Sequence, residues 1–370
     1  MSSPRRLSLA LIGYGNVARK IHLPILTAAP DATVVAIAEV NPEHRREAER
    51  ASPGSVCVAD YHAILARPDV EAVLIALPTA MHRDAAIAAF AAGKHVYLEK
   101  PLAATLAEGR EVLAAAQRVD VVAMVGFNYR DHPLYQRARR LVRSGRIGKV
   151  ISIRTAFSTA RHDLRAWKGS RGTGGGVLLD LASHHMDLLR WLLPTEITTV
   201  SAETRSIDSE DDTAALQLAI GNDIVAQSFF TFGGVEEDRI EIHGSAGKLT
   251  VDRYRSSDVE ITAPLARGRA SAAVMAPTRA LAGLPHVIRK LRSRGHEPSY
   301  RVALERFIAA ARTGTPAKPD FVDGYMSLAV IDAAERSARS GFAVRPEPLP
   351  PQVRQLHASR PTESAAGAAR

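Results

Sequence analysis

Leu7-Ser8-Leu9-Ala10-Leu11-Ile12-Gly13-Tyr14-Gly15-Asn16-Val17-Ala18 is the stretch on which the reading of this chain turns. A short apolar run of strand length, Leu7–Ile12, passes into a turn that fits G-x-G-x-x-G/A, and a helical pattern follows. The first glycine, Gly13, allows a tight turn. The second, Gly15, lets the backbone approach a pyrophosphate, and the small Ala18 allows the helix to pack on the strand. The helix start offers free N–H groups and the positive end of its dipole to phosphate. A glycine fingerprint is weak evidence by itself, because a plain strand–turn–helix can share it. Its context strengthens it: a second β-branched run, Thr33–Ala38, is closed by Glu39, 21 positions after Ala18. A carboxylate at that place meets the ribose hydroxyls of an adenosine. Gly13, Tyr14, Gly15, Asn16, Val17 and Glu39 are therefore the candidate dinucleotide contacts. A carboxylate also repels a 2′-phosphate, which an arginine would attract. Val40 and Asn41 supply no arginine, although Arg45 and Arg46 lie nearby, so NAD is expected in preference to NADP.

Further apolar runs extend the pattern: Val70–Leu77, His95–Leu98 and Val121–Val125, with helical stretches between them such as Met81–Ala92, closed by Gly93. Buried strands alternating with helices mean βαβ units and a parallel sheet, so residues 1–126 read as a Rossmann domain of an α/β protein. After Gly126 the texture changes. A basic helix is expected over Pro133–Ser144 and a strand over Val150–Phe157. A glycine cluster, Gly172 to Gly176, precedes a helix ending near Leu193. Thr198–Arg205, Thr213–Ile220 and Asp223–Phe232 read as longer strands, and Arg239–His243 with Lys248–Asp252 as a hairpin. Successive strands with short turns predict a mainly antiparallel sheet in residues 127–346. Residues 301–312 and 324–339 return to helix. The tail, 347–370, is rich in Pro, Ser and Ala and is expected to be disordered.

Bulk properties narrow the class. At 370 residues the chain suits two domains, and 46% hydrophobic with 24% charged residues is ordinary for a globular protein. No uninterrupted apolar run reaches the length of a membrane span. The run after Arg5 and Arg6 is too short for a signal peptide. A single cysteine, Cys57, excludes an internal disulfide framework and a cysteine-based zinc site, and a reducing, cytoplasmic setting is expected. The net charge of +9 is local in origin: Ile261 to His296 holds seven Arg and Lys residues and no acidic one. The rest of the chain is nearly neutral, which argues against a nucleic-acid binder.

Two motifs carry chemistry. Glu99-Lys100-Pro101 follows the fourth strand, on the side of a parallel sheet where ligands bind. Proline restricts Lys100 to an extended conformation, which would aim its amine at that crevice. An exposed loop ion pair is the equal alternative. In Gly174-Gly175-Gly176-Val177-Leu178-Leu179-Asp180-Leu181-Ala182-Ser183-His184, a helix would set Asp180 and His184 on one face. Histidine exchanges a proton near neutral pH, and the carboxylate could orient the ring or polarise a substrate oxygen. Read alone, such a pair on a helix is more often a structural hydrogen-bonded pair. His185 adjoins it, and Asp187 is a further acid that could simply hold the helix. Adjacent histidines without a cysteine partner do not suit zinc, so no metal is expected.

The chain resembles the Gfo/Idh/MocA oxidoreductases, the family of glucose–fructose oxidoreductase and inositol dehydrogenase, from about Leu7 to about Pro346. The resemblance rests on the GYGNVA turn, on Ala76-Leu77-Pro78 leading to His82, on AAGKHV running into Glu99-Lys100-Pro101, and on GGGVLLDLASHHMDLL. It implies that the sheet of residues 127–346 is the large, open sheet of a second α/β domain. It implies catalytic roles for Lys100, Asp180 and His184, and nicotinamide-side positions for Pro78, Thr79, His82, Glu99 and Asn128. Ala182 departs from the family's usual glycine in D-x-G-x-H. The implied chemistry is hydride exchange between NAD(H) and a carbinol of a sugar, cyclitol or nucleotide-sugar, in a homodimer or homotetramer. Lys100, Asp180 and His184 would meet that substrate, with Arg130 and Trp167 as further contacts; Trp167 reads equally as packing. Two alternatives remain at this level: an NAD-dependent glycosidase using transient oxidation, and a non-catalytic regulatory protein on the same scaffold. Residues 256–300 look like an insertion. Within it Leu281, Leu284, Val287, Ile288 and Leu291 recur at helical spacing beside Arg289, Lys290, Arg292 and Arg294. This basic stretch reads as a solvated excursion, a membrane-surface contact, a packing arm or a lid over an anionic substrate.

Overall fold

The structure, a computed structural model, describes residues 5–160, 166–264 and 297–358. The basic helix expected within 281–294 lies outside the described residues, as does the tail beyond 358.

Among the described residues, thirteen strands form two sheets. The first contains β1 (Leu7–Ile12), β2 (Ala32–Ala38), β3 (Val56–Val58), β4 (Ala72–Ile75), β5 (His95–Leu98) and β6 (Ala123–Val125). Their order is β3-β2-β1-β4-β5-β6, and every pairing is parallel. The chain steps outward one way from β1 to β3, then crosses back to β4 on the other side of β1. Where the winding direction changes, the loops after β1 and β4 diverge and leave a crevice at the strands' carboxyl ends. The sequence pattern anticipated every strand of this sheet except β3, a three-residue edge strand whose side chains are only partly buried.

The second sheet contains β7 (Val150–Thr159), β8 (Ile197–Arg205), β9 (Thr213–Ile220), β10 (Ile224–Phe232), β11 (Glu237–Gly244), β12 (Gly247–Asp252) and β13 (Glu260–Thr262). Its order is β13-β12-β11-β7-β10-β9-β8, antiparallel apart from the β7–β10 pair. The strands alternate buried and exposed residues, as a sheet with one covered face requires. Helix Phe321–Ser340 packs on β8 and on helix Ser183–Leu192, while its Phe321 meets Phe90 and its Tyr325 and Leu328 approach Gly109 of helix Leu106–Ala116.

Two features cut across the division at residue 126. Helix Pro298–Thr313, late in the chain, packs back on the first sheet: Leu304, Phe307 and Ile308 share a core with Leu9, Leu11 and Leu26. The backbone N–H of Val125 in β6 also donates to Pro319 O at 2.9 Å. The cofactor domain is thus completed from the carboxyl-terminal part of the chain. The expectation of a disordered tail from residue 347 is corrected over its first part. Tyr325 Oη donates to Glu347, Pro351–Ala358 is helical, and Val353 is buried. The apolar Val353 gives the segment a core contact that outweighs its loop-like composition.

Candidate active site

The loop after β1 and the helix that follows form one end of a cleft of about 1060 Å³. Gly13 adopts φ +91°, and a Cβ there would stand 2.7 Å from Ala76 O. Only glycine supplies both the conformation and the clearance. The chain then enters a π-helical turn, Ala18–His22, and continues as α-helix Leu23–Ala28. Such widened turns recur at functional sites. Glu39, directly after β2, has its carboxylate fixed by the N–H groups of Tyr14 and Asn41, each donating at 2.8 Å. Arg45, the nearby arginine, donates instead to the carbonyls of Glu39 and Val40. The glycine loop with no room for a Cβ, the helix start behind it and the fixed carboxylate suit an adenine dinucleotide. Tyr14, Gly15, Asn16, Val17, Pro78, Thr79 and Glu99 line the same cleft.

Lys100, Asp180 and His184 line the same cleft, brought together from the end of β5 and from the segment Leu178–Leu192. Lys100 Nζ donates to Asp180 Oδ1 at 2.9 Å and to Asp180 O at 2.8 Å. An ammonium has three N–H groups, so one remains for a ligand. The alternative of an exposed loop ion pair for Lys100 is corrected: its side chain is only 13% exposed and lies in the cleft. Asp180 does not hold the His184 ring. Its Oδ2 accepts from Lys168 Nζ at 2.6 Å, so the carboxylate is bracketed by two lysines. The reason is local: Leu178–Ala182 is a π-helical turn, which rotates Asp180 relative to the α-helical spacing assumed from sequence. Burial alone would raise the Asp180 carboxyl; the ammonium groups of Lys100 and Lys168 outweigh it and hold it well below the usual carboxylate range. His184 is buried, and burial, reinforced by the Lys100 charge, holds its imidazole well below its usual range. It is therefore neutral at pH 7, and a titration near neutrality, expected from histidine in general, moves to lower pH.

Lys168 carried no signal of its own in the sequence, although its neighbour Trp167 was marked as a candidate. Both line the cleft from the short turn Ala166–Gly169. The glycine cluster explains how they come so close: a Cβ on Gly175 would lie 2.4 Å from Lys168 O. Tyr129, Arg253, Glu297 and Tyr300 also line the cleft and were not anticipated. Nothing in their local sequence distinguishes them, since they come from separate elements.

Three expected contacts do not line the cleft. His82 is buried with Nδ1 2.8 Å from Pro101 O and Nε2 3.0 Å from Leu77 O, so it ties the two loops that flank the cleft. Asn128 Nδ2 donates to Ser299 Oγ at 2.8 Å and anchors the start of helix Pro298–Thr313. Arg130 faces a separate cavity and makes a bidentate pair with Asp187, at 2.8 and 2.6 Å, with Asp323 at 3.2 Å. A guanidinium with 8% exposure requires such carboxylates, and Asp187 thereby holds its helix rather than a ligand. Among the described residues, no group of three or more His, Cys, Asp or Glu is arranged to hold a metal ion.

Comparison with known proteins decides the family. Residues 7–127 match the family model described as "Oxidoreductase family, NAD-binding Rossmann fold", and residues 139–345 the model of its "C-terminal alpha/beta domain". The chain belongs to the Gfo/Idh/MocA oxidoreductase family. Members similar to it include a myo-inositol 2-dehydrogenase of Thermotoga maritima, 27% identical over 92% of this chain and 99% of that protein. An inositol 2-dehydrogenase of Rhizobium meliloti is 29% identical over 88% of this chain and 95% of that protein. A solved levoglucosan dehydrogenase in complex with NADH superposes with a TM-score of 0.78 at 25% identity, covering 93% of this chain and 100% of that one. This Gfo/Idh/MocA protein is an NAD-dependent oxidoreductase. Among its described residues, no helix is long and apolar enough to cross a membrane.

Proposed function

We propose that this Gfo/Idh/MocA enzyme interconverts a secondary alcohol and a ketone on an uncharged polyol, a sugar or cyclitol, with Lys100 and His184 acting on the reacting oxygen. The observation that carries this reading is the convergence of Lys100, Asp180 and His184 in the same cleft that holds the fixed Glu39. NAD, held by the Gly13–Val17 loop and Glu39, would supply the acceptor for the hydride that leaves the carbinol carbon. In that direction the neutral imidazole of His184 takes the hydroxyl proton; its Nδ1 is buried, which leaves Nε2 to meet the substrate. The remaining N–H of Lys100 donates to the same oxygen and stabilises the negative charge that develops there. Asp180 cannot be the proton acceptor, because the two lysines keep its carboxylate too weak a base. It fixes the Lys100 ammonium instead. In reduction the imidazole returns the proton.

Charge balance favours a neutral substrate. Among the described residues the cleft lining sets Lys20, Lys100, Lys168 and Arg253 against Glu39, Glu99, Asp180, Glu236 and Glu297, which leaves no excess of positive charge for an anion. Trp167 offers an apolar face to a sugar ring. Relatives named for inositol and levoglucosan support the same substrate class. We further place the enzyme in the cytoplasm, on the evidence of one free cysteine, Cys57. A homo-oligomer would form through the open face of the second sheet, where Val225 and Phe229 of β10 stand on the same side with 55 and 45% exposure. Light scattering of wild type and Phe229→Glu reads the assembly: one monomeric mass for both removes it. A panel of sugars, cyclitols and sugar acids, assayed for NADH formation, tests the main proposal. Turnover of neutral polyols supports it; turnover confined to anionic substrates overturns it.

A further inference from the structure

We propose that Arg253 is a positioning residue for the transfer, acting on His184 through the ring of Tyr129. The inference rests on His184 being the proton acceptor. A histidine that moves a proton is ordinarily held by a hydrogen bond from its second ring nitrogen to a carboxylate or carbonyl. Here that bond is missing among the described residues: His184 Nδ1 is buried without a partner, and Asp180 is engaged by Lys100 and Lys168. What contacts the imidazole is an aromatic face. The His184 and Tyr129 rings stack with centres 4.1 Å apart and planes 15° from parallel. The Arg253 guanidinium lies 4.6 Å from the centre of the same Tyr129 ring.

The guanidinium cannot swing away. Its Nε donates to Asp238 Oδ2 at 2.6 Å and its Nη1 to Glu297 Oε2 at 2.9 Å. Asp238 Oδ1 also accepts from Tyr135 Oη at 2.9 Å and lies 2.9 Å from His185 Nε2, the residue next to His184. Tyr129 sits in the turn Asn128–Asp131, Arg253 follows β12, and His184 opens helix Ser183–Leu192. Three distant segments thus set the plane of one imidazole. A buried cation over a ring face is attracted to it electrostatically, which holds Tyr129 in one orientation.

The same clamp has an electrostatic consequence. Around His184, Lys100 and Arg253 oppose protonation, whereas Asp180 and Asp238 favour it. Lys168 faces Asp180, and Tyr129 and Phe157 present uncharged rings. Removing Arg253 takes away one opposing cation and also unmasks Asp238. Both changes strengthen the imidazole as a base, so the acidic limb of the oxidation rate, where His184 becomes protonated and inactive, moves to higher pH.

The test uses full-length wild type, Arg253→Met, Arg253→Lys, Tyr129→Leu and His184→Ala, with kcat and KM for an accepted polyol from pH 4.5 to 9 and NADH binding by fluorescence. Arg253→Met should lose tenfold or more in kcat and shift the acidic limb up by about one pH unit, the scale of one nearby charge, with NADH binding within about twofold. Arg253→Lys should recover part of both, and Tyr129→Leu should reproduce the loss in kcat. If Arg253→Met does not fold, the double change Arg253→Met with Asp238→Asn removes the buried charges together. It should still lose kcat, because Tyr129 is released. Folded Arg253 variants with a wild-type kcat, or a lower kcat with an unmoved limb, would overturn the inference. His184→Ala separates the two readings. If the acidic limb persists in that variant, the assignment of His184 fails. If it vanishes there yet stays in place in Arg253→Met, only the role of Arg253 fails.

Discussion

Replacing Lys100 by methionine tests the centre of the site most directly. The side chains are similar in length, so packing survives while the charge and its three donors disappear. Two of those donors go to Asp180, at 2.9 and 2.8 Å, and hold the third toward the cleft. The lost donor therefore acts on an oxygen that gains negative charge during reaction, in a site where the lysine side chain is 13% exposed. One preorganised donor of this kind is worth about 10²–10³ in kcat, or roughly 3–4 kcal/mol of transition-state stabilisation. The loss should fall equally on kcat and kcat/KM, since the interaction is made in the transition state. Asp180 keeps Lys168 at 2.6 Å, so its carboxylate stays ionised at pH 7 and the fold should hold. The assay is initial-rate NADH formation with an accepted polyol, alongside NADH titration by fluorescence to confirm that the cofactor still binds. A Lys100→Met enzyme that retains a third or more of wild-type kcat would refute the argument. So would a loss carried entirely by KM.

Three other outcomes follow from the structure. NADH should bind at least tenfold more tightly than NADPH, and Glu39→Ser should narrow the gap, because the carboxylate held by Tyr14 and Asn41 faces the place of a 2′-phosphate; a tenfold preference for NADPH in the wild type would contradict this. Gly13→Ala forces a φ of +91° on alanine and a Cβ to within 2.7 Å of Ala76 O, so calorimetry and NADH titration should show a lower Tm and at least a tenfold weaker cofactor. Burial works against Asp238, but Arg253 and His185 hold its carboxyl well below the usual range. A depressed carboxyl contributes stability that is complete above the unfolded-state value near 4 and is lost as pH falls toward the folded-state one. Acid unfolding followed by circular dichroism should therefore be less steep in Asp238→Asn than in wild type, and an identical pH dependence would show that this group does not contribute.

Much of this protein was legible without coordinates because its signals are local. The GYGNVA turn, Glu39 at the end of β2 and Lys100 at the end of β5 each depend on a few neighbouring residues, and a parallel sheet places all strand ends on one side. The strands expected at Thr213–Ile220 and Asp223–Phe232 likewise stand within a residue of those bounds as β9 and β10. Arg130 illustrates the limit. It looked like a substrate contact, yet its surroundings are Asp187 and Asp323, 57 and 193 positions away in the chain, and burial among them decides what it does. Asp180 and His184 are four residues apart and were paired on that spacing; one π-helical turn and Lys168 separated them.

Sequence by itself therefore determined the α/β plan and the NAD dependence, and it marked Lys100, Asp180 and His184 as candidates, because each is written in short-range pattern and turn chemistry. Only the tertiary structure decided that helix Pro298–Thr313 closes the cofactor domain, that Lys168 shares Asp180 with Lys100, and that Arg253 and Tyr129 stand beside His184. Those arrangements depend on burial and on charges meeting across large separations in the chain, where a residue's role is set by its neighbours in space.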